Sequence, residues 1–150
     1  MKPIYLSIAF ALVSITTFGQ NANLNLDRSN KAVQGYDVVS YFKEGKAVKG
    51  KKDISYSHDG VIYSFKDENN KKLFSENPAM YPIKYGGWCA YAMGVNGDKV
   101  KIDPETFKII DNELYLFYNF YFNNTLEKWN EDEAKYKPVA DSNWEKISKN

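Results

Sequence analysis

The chain's only cysteine, Cys89, stands four residues before Met93 in the stretch Tyr85-Gly86-Gly87-Trp88-Cys89-Ala90-Tyr91-Ala92-Met93. On a helix, that spacing puts both sulfurs on one face. A thiolate with a thioether selects a soft transition metal, copper(I) first, and Met80 or the sole histidine, His58, could complete the set. The same residues also suit a plain core, since unpaired cysteine behaves as a small hydrophobe and methionine fills gaps. A different chemistry would use Cys89 as a nucleophile with His58 folded over it as base. No second histidine, Cys-x-x-Cys pair or strand-borne phosphate loop supports catalysis, so the enzyme reading is the weaker one. A third candidate is aromatic: Trp88, Tyr91 and Tyr85, with Tyr81, are close enough in sequence to line a pocket for a small apolar or planar ligand. An aromatic core is the stronger explanation of them. The carboxylates of Glu131-Asp132-Glu133 read as a solvated helix face rather than an acid–base pair.

The ends and the composition bound these options. Lys2, the apolar run Ile4 to Val13 and the small residues Thr17 and Gly19 predict an export signal over residues 1–19. The apolar run is shorter than the roughly 20 residues that span a bilayer, so no stable membrane anchor is expected. The expected location is periplasmic or secreted. Removing the signal leaves about 130 residues, one domain's worth. The chain carries 20 basic and 19 acidic residues, and losing Lys2 makes it neutral. Such a balance has no electrostatic footprint for nucleic acid. A lone cysteine after export also means no internal disulfide, and a thiol that must be buried, metal-bound or reactive.

The elements that would position these residues read as follows. Residues 20–30, rich in Asn, are expected to be a flexible lead-in. Residues 35–42 form a short helical turn capped by Asp37, or a strand. Ile54 to Ser57 and Val61 to Phe65 are two strands around His58-Asp59-Gly60, where Asp-Gly is a strong hairpin signal. Asp67 caps a helix running to about Glu76, with Asn77-Pro78 as its stop. Phe107 to Ile110 and Leu114 to Tyr118 make a second hairpin around Asp111-Asn112-Glu113. Helices are predicted over about 124–136 and 143–147. The aromatics of Tyr118-Asn119-Phe120-Tyr121-Phe122 cannot all face inward, which leaves some for a protein partner. The class is α+β: small antiparallel hairpins packed with short helices.

Tyr56, Gly60, Tyr63, Phe65, Phe74, Pro78 and Tyr81 follow one another in a pattern that resembles a YHS domain. Upstream, Gly35-Tyr36-Asp37-Val38-Val39-Ser40-Tyr41-Phe42 extends the likeness. Downstream, Tyr85-Gly86-Gly87-Trp88-Cys89-Ala90-Tyr91, Asp103-Pro104-Glu105 and Leu114-Tyr115-Leu116 do the same. Together they are similar to the exported bacterial branch of that family, over roughly residues 31–147. The resemblance implies a YHS-like domain over residues 31–150 with a C-terminal helical extension. The wider YHS and TRASH-like group is associated with heavy-metal binding by three cysteines. Their positions fall here on Ser40, Lys66 and Asn70, so a three-thiolate site is not expected.

These observations lead to an exported, non-enzymatic binding module. Its expected ligand is a soft transition metal such as copper, held by Cys89, Met93 and His58. The alternative is a small ligand or a protein partner recognised, without metal, through Trp88, Tyr91 and Tyr85.

Overall fold

A computed structural model describes residues 22–149; the predicted export signal lies outside them. Among the described residues there are five α-helices and three two-stranded antiparallel sheets, an α+β arrangement. No described helix is long and apolar enough to cross a membrane.

The N-terminal half is built by capping and by one tight turn. Asp37 precedes α1 (Val38–Glu44) and accepts hydrogen bonds from the amides of Val39 and Ser40 at 2.9 and 3.3 Å. That decides between the two predicted conformations in favour of helix. Strands β1 (Ser55–His58) and β2 (Val61–Ser64) pair with Tyr56 opposite Tyr63 and His58 opposite Val61. Their two-residue turn, Asp59-Gly60, has φ of 49° and 77°, both positive as a type I′ turn requires. Asp67 then caps α2 (Glu68–Glu76) through the Asn70 amide at 2.8 Å.

The C-terminal half is organised by a strand buried on both faces. After α3 (Ala90–Val95), β3 (Asp103–Ile110) pairs with β4 (Glu113–Phe117) across Asp111-Asn112. Leu114 and Leu116 enter one core with Val38, Phe65 and Phe74. Tyr115 and Phe117 enter another with Tyr85, Met93 and Trp129. The period-2 alternation of a strand thus becomes a partition between two cores, and its sequence reads as an unbroken apolar run.

A small hairpin, β5 (Asn119–Phe120) with β6 (Asn123–Asn124), leads into α4 (Thr125–Glu131). The final helix α5 (Glu133–Ser148) is longer than the sequence suggests. The helix predicted over 124–136 breaks at Asp132, whose side chain caps α5 through Lys135 N at 3.3 Å. From there α5 runs continuously through Pro138. An interior proline costs about 3 kcal/mol. Tyr136, Ala140, Trp144 and Ile147, spaced on one helical face, bury against the second core and offset it. At the α3–α5 crossing a Cβ on Gly94 would lie 2.8 Å from the Tyr136 carbonyl oxygen, so only glycine permits that approach.

Residues 22–30 are not a free lead-in. Asn25 donates from its backbone to Gly86 O at 2.8 Å and from Nδ2 to Gly87 O at 2.9 Å. Asn23 donates to Ile147 O at 2.9 Å. The asparagine amides act together with Leu24 and Leu26, which pack against the first core.

Candidate functional site

The pinned segment forms one rim of a cleft of about 330 Å³. Holding Asn25 against Gly86 and Gly87 places Leu24 and Leu26 beside it. The opposite wall comes from the first hairpin and α2. Val61 and Tyr63 share one face of β2, and Phe74 rises from α2 behind them. Pro78, Tyr81 and Ile83 close the third side as the chain leaves α2.

Three rings form a tilted row along the cleft. Tyr63 and Phe74 have centroids 4.4 Å apart at 34°, and Phe74 and Tyr81 5.9 Å apart at 31°. Phe74 is 1% exposed and serves as the floor, while Tyr63 and Tyr81 are half-buried. Burial, followed by the charge of Asp59, raises the hydroxyl pKa of Tyr63. Burial, followed by Asp37, raises that of Tyr81. Both phenols therefore stay neutral over the physiological range.

Polar side chains enter the lining at Asn25, His58, Asp59, Tyr63 and Tyr81. His58 stacks edge-on against Phe74 at 6.2 Å, and its Nε2 lies 3.3 Å from Asp59 Oδ2. Among the residues lining the cleft, Asp59 is the one carboxylate, and no lysine or arginine is present. A cleft of this size with aromatic, aliphatic and polar walls suits a small organic ligand.

The structure disperses the residues singled out for soft-metal chemistry. Cys89 is fully buried in the first core, its Sγ 3.4 Å from Thr125 Oγ1 and accepting from the Tyr118 amide at 3.4 Å. Met93 is fully buried in the second core. His58 is at the cleft mouth, and Met80 is 54% exposed. Among the described residues, no group of three or more His, Cys, Asp or Glu side chains could hold a metal ion. Enclosure of the Cys89 sulfur also withholds it from thiol chemistry.

The aromatic candidates Trp88, Tyr91 and Tyr85 group around the second core, away from the cleft lining. Trp88 donates its indole N–H to Asn23 O at 2.7 Å, which helps hold the rim segment from behind. Tyr91 packs edge-on against Tyr136 at 5.0 Å. Tyr85 donates its hydroxyl to Asp141 at 3.0 Å, and the same carboxylate pairs with Lys84 at 3.3 Å and Lys137 at 3.2 Å. Burial, with Asp141 next, raises the Tyr85 pKa far above the ordinary tyrosine value.

Ser40, Lys66 and Asn70 do converge, around a buried carboxylate. Asp37 Oδ2 accepts from the Lys66 amide at 2.9 Å and from Asn70 Nδ2 at 2.8 Å, and that nitrogen lies 3.3 Å from Ser40 Oγ. The Lys66 side chain turns outward to pair with Glu44. With Val39 and Ser40 bonded to Oδ1, four N–H donors engage Asp37. It acts as a cross-link between α1, the end of β2 and α2.

Sequence reasoning placed Tyr81 in an aromatic pocket but missed Tyr63, Phe74, Leu24 and Leu26 as its companions. The alternation Leu24-Asn25-Leu26 was the available signal, masked by the surrounding asparagines. No family model, curated protein or solved structure matches the chain. The YHS resemblance accordingly rests on the residues quoted for it.

Proposed function

We propose that this protein is an exported, non-enzymatic binding module that takes a small, largely apolar ligand with a planar part into the cleft over Phe74. One observation carries the reading: the cleft is walled by aromatic and aliphatic side chains whose backbones are fixed by hairpin pairing, helix caps and the Asn25 bonds. A site held open in that way spends little binding energy on ordering itself. The geometry favours this reading over the soft-metal one, because Cys89, Met93 and His58 lie in different surroundings. Export is part of this proposal, supported by Lys2, the apolar run and Thr17 and Gly19.

The test is a panel of small aromatic and aliphatic compounds titrated into the purified protein by calorimetry, with amide shifts to locate binding. Tyr81→Ala and Leu26→Asp should each weaken the best binder by about fivefold or more, a loss of roughly 1 kcal/mol or more of apolar contact. Tyr91→Leu, on the second core, should leave affinity within twofold. Binding that ignores both cleft variants and weakens in Tyr91→Leu would move the site to the other aromatic group.

A further inference from the structure

We infer that the ligand of this cleft is uncharged and carries a hydroxyl or carbonyl oxygen that bonds to the Tyr63 hydroxyl. The inference rests on the cleft being the binding site and adds the polarity of what it takes. Charge and hydrogen bonding each carry one part of it.

The lining favours neither sign of charge. No lysine or arginine contributes to it, so an anion would lose hydration on entry with no cation to replace it. Its one carboxylate, Asp59, already has His58 Nε2 at 3.3 Å, and the Asp59 side chain is 80% exposed. That partner and water satisfy the charge, and screening leaves a ligand cation little to gain from it. A neutral ligand meets neither cost.

The hydrogen-bonding part falls to Tyr63. The hydroxyls of Tyr36, Tyr41 and Tyr85 donate to Glu105, the Pro104 carbonyl and Asp141. That of Tyr63 has no hydrogen-bond partner among the described residues. Among those residues the one enclosed side-chain oxygen or nitrogen without a partner is Ser64 Oγ, so the Tyr63 hydroxyl is open to solvent. Tyr63 lines the cleft, and after burial it is the charge of Asp59 that raises its pKa, which sets the hydroxyl toward the Asp59 end of the lining. A ligand that displaced water from this group without bonding to it would leave a polar atom unsatisfied. The neutral phenol both donates and accepts, so it can meet either kind of oxygen.

Tyr63→Phe removes that hydroxyl alone. The group bonds to nothing in the fold, and the ring keeps its place 4.4 Å from Phe74 between centroids.

The experiment titrates toluene, benzyl alcohol, benzylamine and benzoate into the parent protein and Tyr63→Phe, with amide shifts at Val61 and Ile83 marking cleft occupancy. These probes share a ring and differ in one group. In the parent protein benzyl alcohol should bind tightest, about fivefold ahead of each of the others, the factor that one neutral hydrogen bond supplies. Tyr63→Phe should weaken the alcohol by about fivefold and leave toluene within about twofold. Benzylamine or benzoate as tight as the alcohol would overturn the neutral assignment. An alcohol that keeps its affinity in Tyr63→Phe, or a toluene that loses as much as the alcohol does, would overturn the bond to Tyr63. If none of the four shifts those amides, the cleft reading itself falls, and this inference with it.

Discussion

Cys89 and Met93 are joined by a helical hydrogen bond, Met93 N–H to Cys89 C=O at 3.0 Å, yet their side chains belong to different cores. Cys89 is the N-cap of α3 with ψ of 117°, so its side chain leaves from non-helical backbone. The rule that residues four apart share a face holds only when both are helical.

The two sulfurs should therefore behave as packing atoms. Cys89→Ala and Met93→Leu should each leave an anaerobic Cu(I) titration against a chromophoric chelator indistinguishable from the parent's. Stability should fall by about 1–2 kcal/mol for the first and less than about 1.5 kcal/mol for the second, read by denaturant unfolding. A tight one-to-one copper complex lost in both variants would restore the pair as a site.

The Asp37 cross-link makes a sharper demand. Asp37→Ala strips the cap of α1 and leaves the Lys66 amide and Asn70 Nδ2 facing a void. Loss of a buried, hydrogen-bonded carboxylate should cost about 3–5 kcal/mol. Ser40→Ala, which removes one long contact to Asn70, should cost about 1 kcal/mol. Equal penalties for the two would show that the carboxylate is not the organising atom set.

Acid stability should depend on Asp141. Burial pushes its carboxyl pKa up, but hydrogen bonds from Lys137 and Tyr85 and the charges of Lys84 and Lys137 outweigh that and hold it below the usual value. A depressed folded-state pKa gives stability that is fully present above the unfolded value near pH 4 and lost as pH falls through the folded one. Asp141→Asn should lower stability at pH 7 and flatten its decline below about pH 4, measured as the denaturant midpoint against pH. An acid limb as steep as the parent's would assign that decline to other groups, Glu133 among them, which Lys108 also holds low.

Local signals in the sequence were enough for the elements that depend on one or two residues. Asp67 and Asp59-Gly60 each determine a cap or a turn from within a few positions, whereas Asp37 left helix and strand open until the cap was seen. What was not legible depended on contacts made across the chain. Asn25 and Gly86 are far apart in sequence, so nothing near residues 22–30 announces that they dock. Pro138 reads locally as a stop, and only burial of Ala140 and Trp144 carries α5 past it. The cleft failed to show for the same reason. Its walls come from the lead-in, β2, α2 and the 78–83 turn, whereas the dense aromatic cluster around Trp88 turned out to pack behind it.

The last prediction concerns the tip of the β5–β6 hairpin. Tyr121 and Phe122 occupy its two-residue turn at φ of 53° and 60°, and both residues are almost wholly exposed. Left-handed backbone is costly for bulky residues, and neither ring recovers that cost by burial. Asparagine followed by glycine is the pair this turn prefers. Tyr121→Asn with Phe122→Gly should therefore raise stability by about 1 kcal/mol, seen as a higher denaturant midpoint with unchanged slope. Ligand affinity in the cleft should not change, because neither residue lines it. A double variant that unfolds more easily than the parent would show that the two rings support the fold.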